Sequence, residues 1–493
     1  MKILQVASEA VPFCKTGGLA DVVGALSQRL GMDGHDVCLF LPRYRCIEDG
    51  LLAGGMARPV EVPLAGEKAT VSLRYAQWKA VSVYLVDHPE SFDRDGLYGA
   101  GGKDYPDNAR RFMLFSRAVL EGVKALGFRP EVIHLHDWQA ALVAPYLKRL
   151  YRGEPALAGA STVLTIHNLA YQGVFPPEVF SWTGFPASDF KPELMEYYGN
   201  FGFLKAGLTS ADVVTTVSPT YAREIQTAER GFGLEGILTG RSDTLFGVLN
   251  GVDHDLWNPQ TDHHLPKRYS AGTFIPGKAA CKAELQRRCG LQVEPGVPLV
   301  GIVSRLDRQK GLDLAAAALK GRLGRCQVAI LGVGDAELAG LLTRFAGAHP
   351  GEVFFTAEFD EPLAHLIYSG ADVFLMPSRF EPCGLGQIIA MRYGAVPVAS
   401  RTGGLADTVF EVEAAVPGSS QVRSPNGFLA APEDSEDLGK AIDRALDAFA
   451  EPESWHARVL AGMESDYSWD RSAAIYLDLY QRSRRLEPSR HAP

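Results

Sequence analysis

Six residues, Thr16-Gly-Gly-Leu-Ala-Asp21, recur unchanged as Thr402-Gly-Gly-Leu-Ala-Asp407. Each copy follows an apolar run of strand type by a short interval. Each is preceded by a basic residue (Lys15, Arg401) and leads into a segment of helical pattern. A strand–glycine turn–helix unit used at equivalent places points to two α/β halves in one chain. The glycines alone allow two readings. One is a tight turn used twice. The other is an anion site, because a helix start offers free N–H groups and glycine lets a ligand approach the backbone.

The rest of the chain supports two doubly wound domains. Residues 2–7, 36–41, 81–86, 132–135, 162–166 and 213–217 are buried-strand candidates, with helical patterns between several of them. A second series begins near residue 298 and continues with Gln-Val-Ala-Ile-Leu-Gly, Val-Phe-Phe-Thr, Val-Phe-Leu-Met and Ala-Val-Pro-Val-Ala-Ser. That alternation predicts mainly parallel sheets. The length of 493 residues suits two domains. The expected division is 1–248 and 249–468, with the join in the turn-rich stretch 246–255. A helix near 470–484 is followed by a loose tail to residue 493.

Charge and cysteine usage exclude several function classes. The net charge is −9, so the bulk field does not attract nucleic acid or an anionic membrane. Any anionic substrate needs locally placed cations. The seven cysteines include no C-x-x-C pair, and an odd scattered set fits a reducing compartment. The N-terminal apolar run is short and no run reaches the roughly 20 residues of a membrane helix. A cytoplasmic protein is expected.

Two further segments carry chemistry. Arg305 and Lys310, in Ser304-Arg-Leu-Asp-Arg-Gln-Lys-Gly311, follow the first strand of the second half. Arg as a planar fork and Lys as a compact charge suit a diphosphate, although a solvated basic loop has the same composition. Glu381, in Pro377-Ser-Arg-Phe-Glu-Pro-Cys-Gly-Leu-Gly-Gln387, lies just after another strand, before a helix expected near Leu385. Lys15-Thr-Gly-Gly-Leu-Ala-Asp-Val has neither Walker A nor G-x-G-x-x-G spacing.

Together these segments resemble the signature of bacterial glycogen synthases and plant starch synthases. The stretches that carry the resemblance are 15–22, His-Asp-Trp at 136–138, Thr-Ile-His-Asn-Leu-Ala-Tyr-Gln-Gly at 165–173 and Thr-Val-Ser-Pro-Thr-Tyr-Ala at 216–222. They continue with Asn-Gly-Val-Asp at 250–253, 304–313, 378–385 and 401–409. They stand in the family's order and cover nearly the whole chain.

The resemblance implies a GT-B fold, two Rossmann-like domains facing across a cleft, with the last helix returning to the N-terminal domain. It implies glucose transfer from ADP-glucose to the non-reducing end of glycogen or another α-1,4-glucan, with retention of configuration. Lys15, Arg305 and Lys310 would neutralise the leaving diphosphate, with amides near Gly17–Gly18 and Gly384–Leu385. His167 would contact the donor glucose, and Glu381 would bind the sugar and stabilise positive charge. Asp21, Asn250, Thr402 and Cys383 would belong to the donor site. Tyr98, Asp137 and Trp138 would hold sugar, although Trp138 also suits a core. Phe359 stands where a tyrosine stacks on adenine. Neither metal nor cofactor is implied, ADP-glucose being a substrate. Ile389 stands where many retaining relatives carry a second glutamate, which favours front-side attack over a covalent intermediate.

Three other readings use the same residues. One is a GT-B enzyme using UDP-glucose, another a glucan-binding protein without activity, and the third a glucan phosphorylase, for which no pyridoxal-phosphate lysine context is found. His134 and His136 form a His-x-His pair, and without a nearby third ligand they read as strand packing rather than metal ligands. Ser419–Pro425 reads as a surface loop.

Overall fold

A computed structural model of the chain describes residues 1–52, 57–64, 66–415 and 422–486. The expected tail beyond residue 486 and residues 419–421 of the loop expected at 419–425 lie outside these residues, while Val422–Arg423 forms a short strand paired with Ala414–Ala415. The chain forms two compact units. The first comprises Met1–Val217, Ala222–Val248 and the segment from Trp469. The second comprises Ser218–Tyr221 and Leu249–Ser468.

In the first unit, the described residues form a nine-stranded sheet. Its order is Leu245–Gly247, Val213–Thr216, Ser161–Ile166, Val132–His136, Lys2–Val6, Asp36–Pro42, Val81–Asp87, Glu67–Trp78 and Arg58–Leu64. The first seven of these run parallel, and Ile3 pairs with Val37 on one side and Val132 on the other. Lys2–Val6 is therefore central and, beyond Lys2, buried on both faces, with Ile3, Leu4 and Val6 apolar and Gln5 its one buried polar side chain. The last two strands make an antiparallel edge that the sequence reading did not anticipate. Its signal was alternation: in Arg58–Leu64 the valines and leucine turn inward, and Pro59 and Pro63 suit an outermost strand.

The helix Gly18–Met32 follows the first strand and buries Leu19, Val22, Val23, Leu26 and Leu30. The helix Trp469–Leu486 packs against it and against Val132–His136 and Ser161–Ile166. Arg29 pairs with Asp470 at 2.7 Å, and Ser161 and Ser483 share a buried hydrogen bond at 2.8 Å.

The second unit holds a six-stranded parallel sheet in the order Val353–Thr356, Gln327–Gly334, Leu299–Leu306, Val373–Met376, Val396–Ser400 and Phe428–Ala430. Ile302, Val328, Ile330, Phe374 and Val398 form its apolar interior with the flanking helices. Lys278 is buried among helix ends and donates to the carbonyls of Ser369 at 3.0 Å, Ala371 at 2.8 Å and Tyr393 at 3.2 Å. An ammonium there satisfies last-turn carbonyls that have no intrahelical partner. In both units the strand order reverses, and the loops at the carboxyl ends of the central strands carry the residues singled out by sequence. No helix among the described residues is long and apolar enough to cross a membrane.

Candidate active site

In the first unit, three loops at strand carboxyl ends meet. After Lys2–Val6 come Ser8 and Glu9, then Lys15–Gly18. After Val132–His136 comes Asp137, and after Ser161–Ile166 comes His167. Glu9 is buried and organises the first loop. Its carboxylate accepts from the Thr16 backbone N–H, from Thr16 Oγ1 at 2.7 Å and from the Tyr98 hydroxyl at 2.5 Å. Tyr98 also bonds Ser8 Oγ at 2.7 Å. The Tyr98 hydroxyl thus serves the loop, and burial beside Glu9 pushes its pKa well above the usual phenol range. Lys15 pairs with Asp21 at 2.8 Å, with the lysine side chain half exposed. Gly17 precedes the helix, and a Cβ there would meet nothing within 4 Å. The first glycine turn therefore faces open space, as a ligand-facing backbone must.

Asp137 has a left-handed backbone, with φ of 55°. For a residue other than glycine this costs about 1–2 kcal/mol. Its carboxylate accepts the His167 backbone N–H at 2.7 Å, which ties two strand ends together. Burial pushes its pKa up to about 7, against the lowering effect of the amides of His167 and Asn168. His167 Nε2 lies 2.9 Å from Nδ1 of His136. Burial lowers the His167 pKa to about 3. Trp138 belongs to the core: it is buried against Phe112 at 4.9 Å, Phe175 at 5.7 Å and Phe203 at 6.1 Å. This is the core placement that the sequence also allowed. Gly173 gives its ring room, since a Cβ at that residue would overlap the indole.

In the second unit, Lys310 Nζ donates to Glu381 Oε2 at 2.6 Å, and Ser378 Oγ donates to the same oxygen at 2.9 Å. Glu381 is buried and Lys310 nearly so. Two loops are locked together to make this pair. The Arg379 N–H donates to Gln309 O at 2.8 Å, Gln309 Nε2 to Phe380 O at 3.1 Å, and the Arg379 guanidinium pairs with Asp313 at 2.7 Å. Gly311 has φ of 66°, and a Cβ there would overlap the Pro377 carbonyl, so only glycine fits between the loops. Arg305 ends its strand half exposed and pairs with Asp307 at 3.2 Å. Asn250 and Cys383 are buried side by side, and burial pushes the thiol pKa up to about 12. Phe359 follows the strand Val353–Thr356 with 86% of its surface open.

The second glycine turn differs from the first. A Cβ on Gly403 would overlap Glu381 O, and one on Gly404 would overlap Cys383 O. The Gly404 N–H donates to Glu381 O at 3.0 Å. Thr402 is buried. Asp407 accepts from Thr220 N and Thr220 Oγ1, both at 2.7 Å. This turn is a platform for the Glu381–Cys383 loop, and the Gly404 amide is not left for an anion. Identical residues here take different backbones: Gly17 is extended and caps a helix that starts at Gly18, whereas Gly403 has φ of 45° and is itself the first helical residue after Thr402.

The structure thus groups Lys15, Gly17, Gly18, Asp21, Tyr98, Asp137 and His167 at one sheet edge of the first unit. It groups Asn250, Arg305, Lys310, Phe359, Glu381, Cys383, Gly384, Leu385 and Thr402 at the carboxyl edge of the second sheet. Glu9, His136, Ser378 and Asp407 support these groups and were not anticipated. For Glu9 and Ser378 the available signal was a place just beyond a strand end; His136 ends its own strand, and Asp407 lies in the short helix Gly403–Thr408. His134 and His136 use both ring nitrogens in hydrogen bonds.

The starch synthase catalytic domain family matches residues 2–240, and the glycosyl transferases group 1 family matches residues 297–448. A glycogen synthase of Anaeromyxobacter dehalogenans is 48% identical over 492 residues, 99% of this chain and 100% of the relative. A glycogen synthase of Elusimicrobium minutum is 44% identical over 484 residues, 98% of this chain and 99% of the relative. The catalytic domain of starch synthase IV from Arabidopsis thaliana, solved with ADP and acarbose, matches with a TM-score of 0.89 at 36% identity. That match covers 98% of this chain and 99% of the other. A sucrose-phosphate synthase from Thermosynechococcus elongatus shares the fold alone, with a TM-score of 0.60 at 19% identity and 98% of each chain covered. Sequence, fold and relatives agree that this chain belongs to the glycogen synthase and starch synthase family, glycosyltransferases of the GT-B fold.

Proposed function

We propose that this protein transfers glucose from ADP-glucose to the non-reducing end of an α-1,4-glucan, with retention of configuration, in the cytoplasm. The observation that carries the reading is the Lys310–Glu381 pair. It sets a fixed ammonium against a buried carboxylate on loops locked to each other. Polysaccharide binding alone would not require such an arrangement.

As the bond between glucose C1 and the diphosphate breaks, positive charge grows on the sugar and negative charge on the leaving group. Pre-placed charges stabilise both without reorganising. Lys15, Arg305 and Lys310 serve the diphosphate, and the amides of the Gly17–Gly18 turn add N–H donors. Glu381 serves the sugar, and His167 holds a sugar hydroxyl. Phe359 offers an open aromatic face for adenine, and the ADP and acarbose of the Arabidopsis relative support an adenine nucleotide and a glucan-like chain. The acceptor hydroxyl attacks from the face that the diphosphate leaves, and its proton passes to the departing phosphate oxygen.

The test compares transfer from ADP-glucose and UDP-glucose onto glycogen, by wild type and Glu381→Ala. Transfer from ADP-glucose that the variant loses supports donor, reaction and site together. Transfer only from UDP-glucose overturns the donor, and no transfer from either by folded wild type overturns the activity.

A further inference from the structure

Behind His167, within the first unit, runs a continuous chain of buried hydrogen bonds. His136 Nδ1 lies 2.9 Å from His167 Nε2, and His136 Nε2 lies 2.8 Å from Gln5 Oε1. Gln5 Nε2 donates to the Tyr480 hydroxyl at 3.2 Å, which lies 2.8 Å from His134 Nδ1. His134 Nε2 is 2.6 Å from Thr165 Oγ1, itself 2.6 Å from Thr215 Oγ1. Gln5, His134, His136, Thr165, Thr215 and Tyr480 are all fully buried. Five segments distant in sequence supply this chain, including the C-terminal helix.

A neutral imidazole carries one proton, so the partner of one nitrogen decides the state of the other. Burial keeps these rings neutral: it lowers the pKa of His134 and His167 to about 3 and that of His136 well below the usual value. With the Gln5 amide N–H turned to Tyr480, Gln5 Oε1 must accept from His136 Nε2–H. His136 Nδ1 is then a bare acceptor, and it takes the proton of His167 Nε2. His167 Nδ1 is left with a lone pair, and no protein donor meets it among the described residues.

We propose that His136 is a positioning residue, which with Gln5 and Tyr480 fixes His167 in the Nε2–H tautomer and reserves Nδ1 to accept a hydrogen bond from a sugar hydroxyl. The proposal rests on the reading of His167 as a sugar contact. The C-terminal helix thereby acquires a part in the chemistry, since Tyr480 orients the Gln5 amide. The pairing also explains why a histidine occupies the end of a buried strand where an apolar residue would pack without polar cost.

Nitrogen-15 NMR of the imidazoles in histidine-labelled wild type tests the tautomer directly, with His167→Gln used for assignment. The expected spectrum has the His167 proton on Nε2, and a proton on Nδ1 overturns the proposal. His136→Leu and Gln5→Leu should each release the tautomer and lower kcat roughly 10–100-fold, the loss of one hydrogen bond at the reacting sugar. KM for glycogen should change little. His136→Asn places an amide oxygen near the former Nδ1 and should recover both the tautomer and most of the rate. A released tautomer with unchanged kcat keeps His136 as the positioning residue and removes His167 from the sugar. An unchanged tautomer in both leucine variants overturns the relay. Should His136→Leu not fold, Gln5→Leu and Tyr480→Phe carry the same comparison.

Discussion

Lys310 donates to Glu381 at 2.6 Å, so neither side chain can be removed without leaving the other charged and mostly buried. Breaking such a pair costs about 3–5 kcal/mol, because the remaining charge lacks both water and partner. Lys310→Ala should therefore lower the melting temperature more than the double variant Lys310→Ala/Glu381→Gln, which removes both charges. Both variants should lose transfer by roughly 10²–10³-fold, as expected when a fixed charge at a reacting centre is deleted. Calorimetry and initial rates measured together separate the two effects. Equal melting temperatures would show that the pair carries no buried charge.

The two glycine turns should respond differently to alanine. At Gly404 a Cβ would overlap the Cys383 carbonyl, so Gly404→Ala must displace the Glu381–Cys383 loop. We expect a loss of about 1–3 kcal/mol of stability and a large fall in kcat. At Gly17 the added methyl meets no protein atom within 4 Å. Gly17→Ala should keep its melting temperature and raise the KM for ADP-glucose instead. A stability loss at Gly17 comparable to that at Gly404 would contradict the contrast.

Glu9 holds Thr16 and Tyr98 through three hydrogen bonds to one carboxylate. Glu9→Gln keeps the shape but turns one acceptor oxygen into a donor. One of the three partners then faces another donor, at a cost of about 1–3 kcal/mol. Activity should fall because Lys15 and Gly17 adjoin the loosened residue. Tyr98→Phe should be milder, since it removes the bonds to Glu9 and Ser8 but leaves the two that Thr16 gives Glu9. Rates in the order wild type, Tyr98→Phe, Glu9→Gln are the expected outcome.

Asp137 is held near pKa 7 by burial, above the 3.8 of a free aspartate. A carboxyl raised in the folded state contributes stability that is full below about pH 4. That stability is lost as pH rises through about 7. By linkage the loss between pH 5 and pH 8 is roughly 2–3 kcal/mol. Asp137→Asn keeps an oxygen for the His167 N–H and cannot ionise. The drop in denaturant midpoint from pH 5 to pH 8 should therefore be smaller in the variant than in wild type. An equal drop would place the ionisation elsewhere.

Much of the fold was legible because parallel strands buried on both faces read as unbroken apolar runs. Val373–Met376 and the 299–303 part of Leu299–Leu306 announce themselves that way, and helical patterns between such runs point to a parallel sheet. The antiparallel edge was less legible. Its strands alternate in burial, and alternation is a weaker signal in segments carrying proline and several charges. Among site residues, Lys15, Lys310 and Glu381 stood out because a charge beside a glycine turn at a strand end has few structural uses. Glu9 did not stand out, since its partners Thr16 and Tyr98 are named only by the folded loops.

Local pattern and motif order were enough for the parallel strands with their helices, the two α/β halves and the family, though not for the antiparallel edge. Tertiary structure alone decided that Thr16–Asp21 and Thr402–Asp407 do different work. Identical residues even take different backbones there, extended at Gly17 and left-handed at Gly403. Whether an amide meets a ligand or a carbonyl depends on what the rest of the chain brings to that point. The same holds for His136 and Trp138, neighbours in sequence: one entered a polar relay and the other an aromatic core. Their fates were set by Gln5 and Tyr480 on one side and by Phe112, Phe175 and Phe203 on the other.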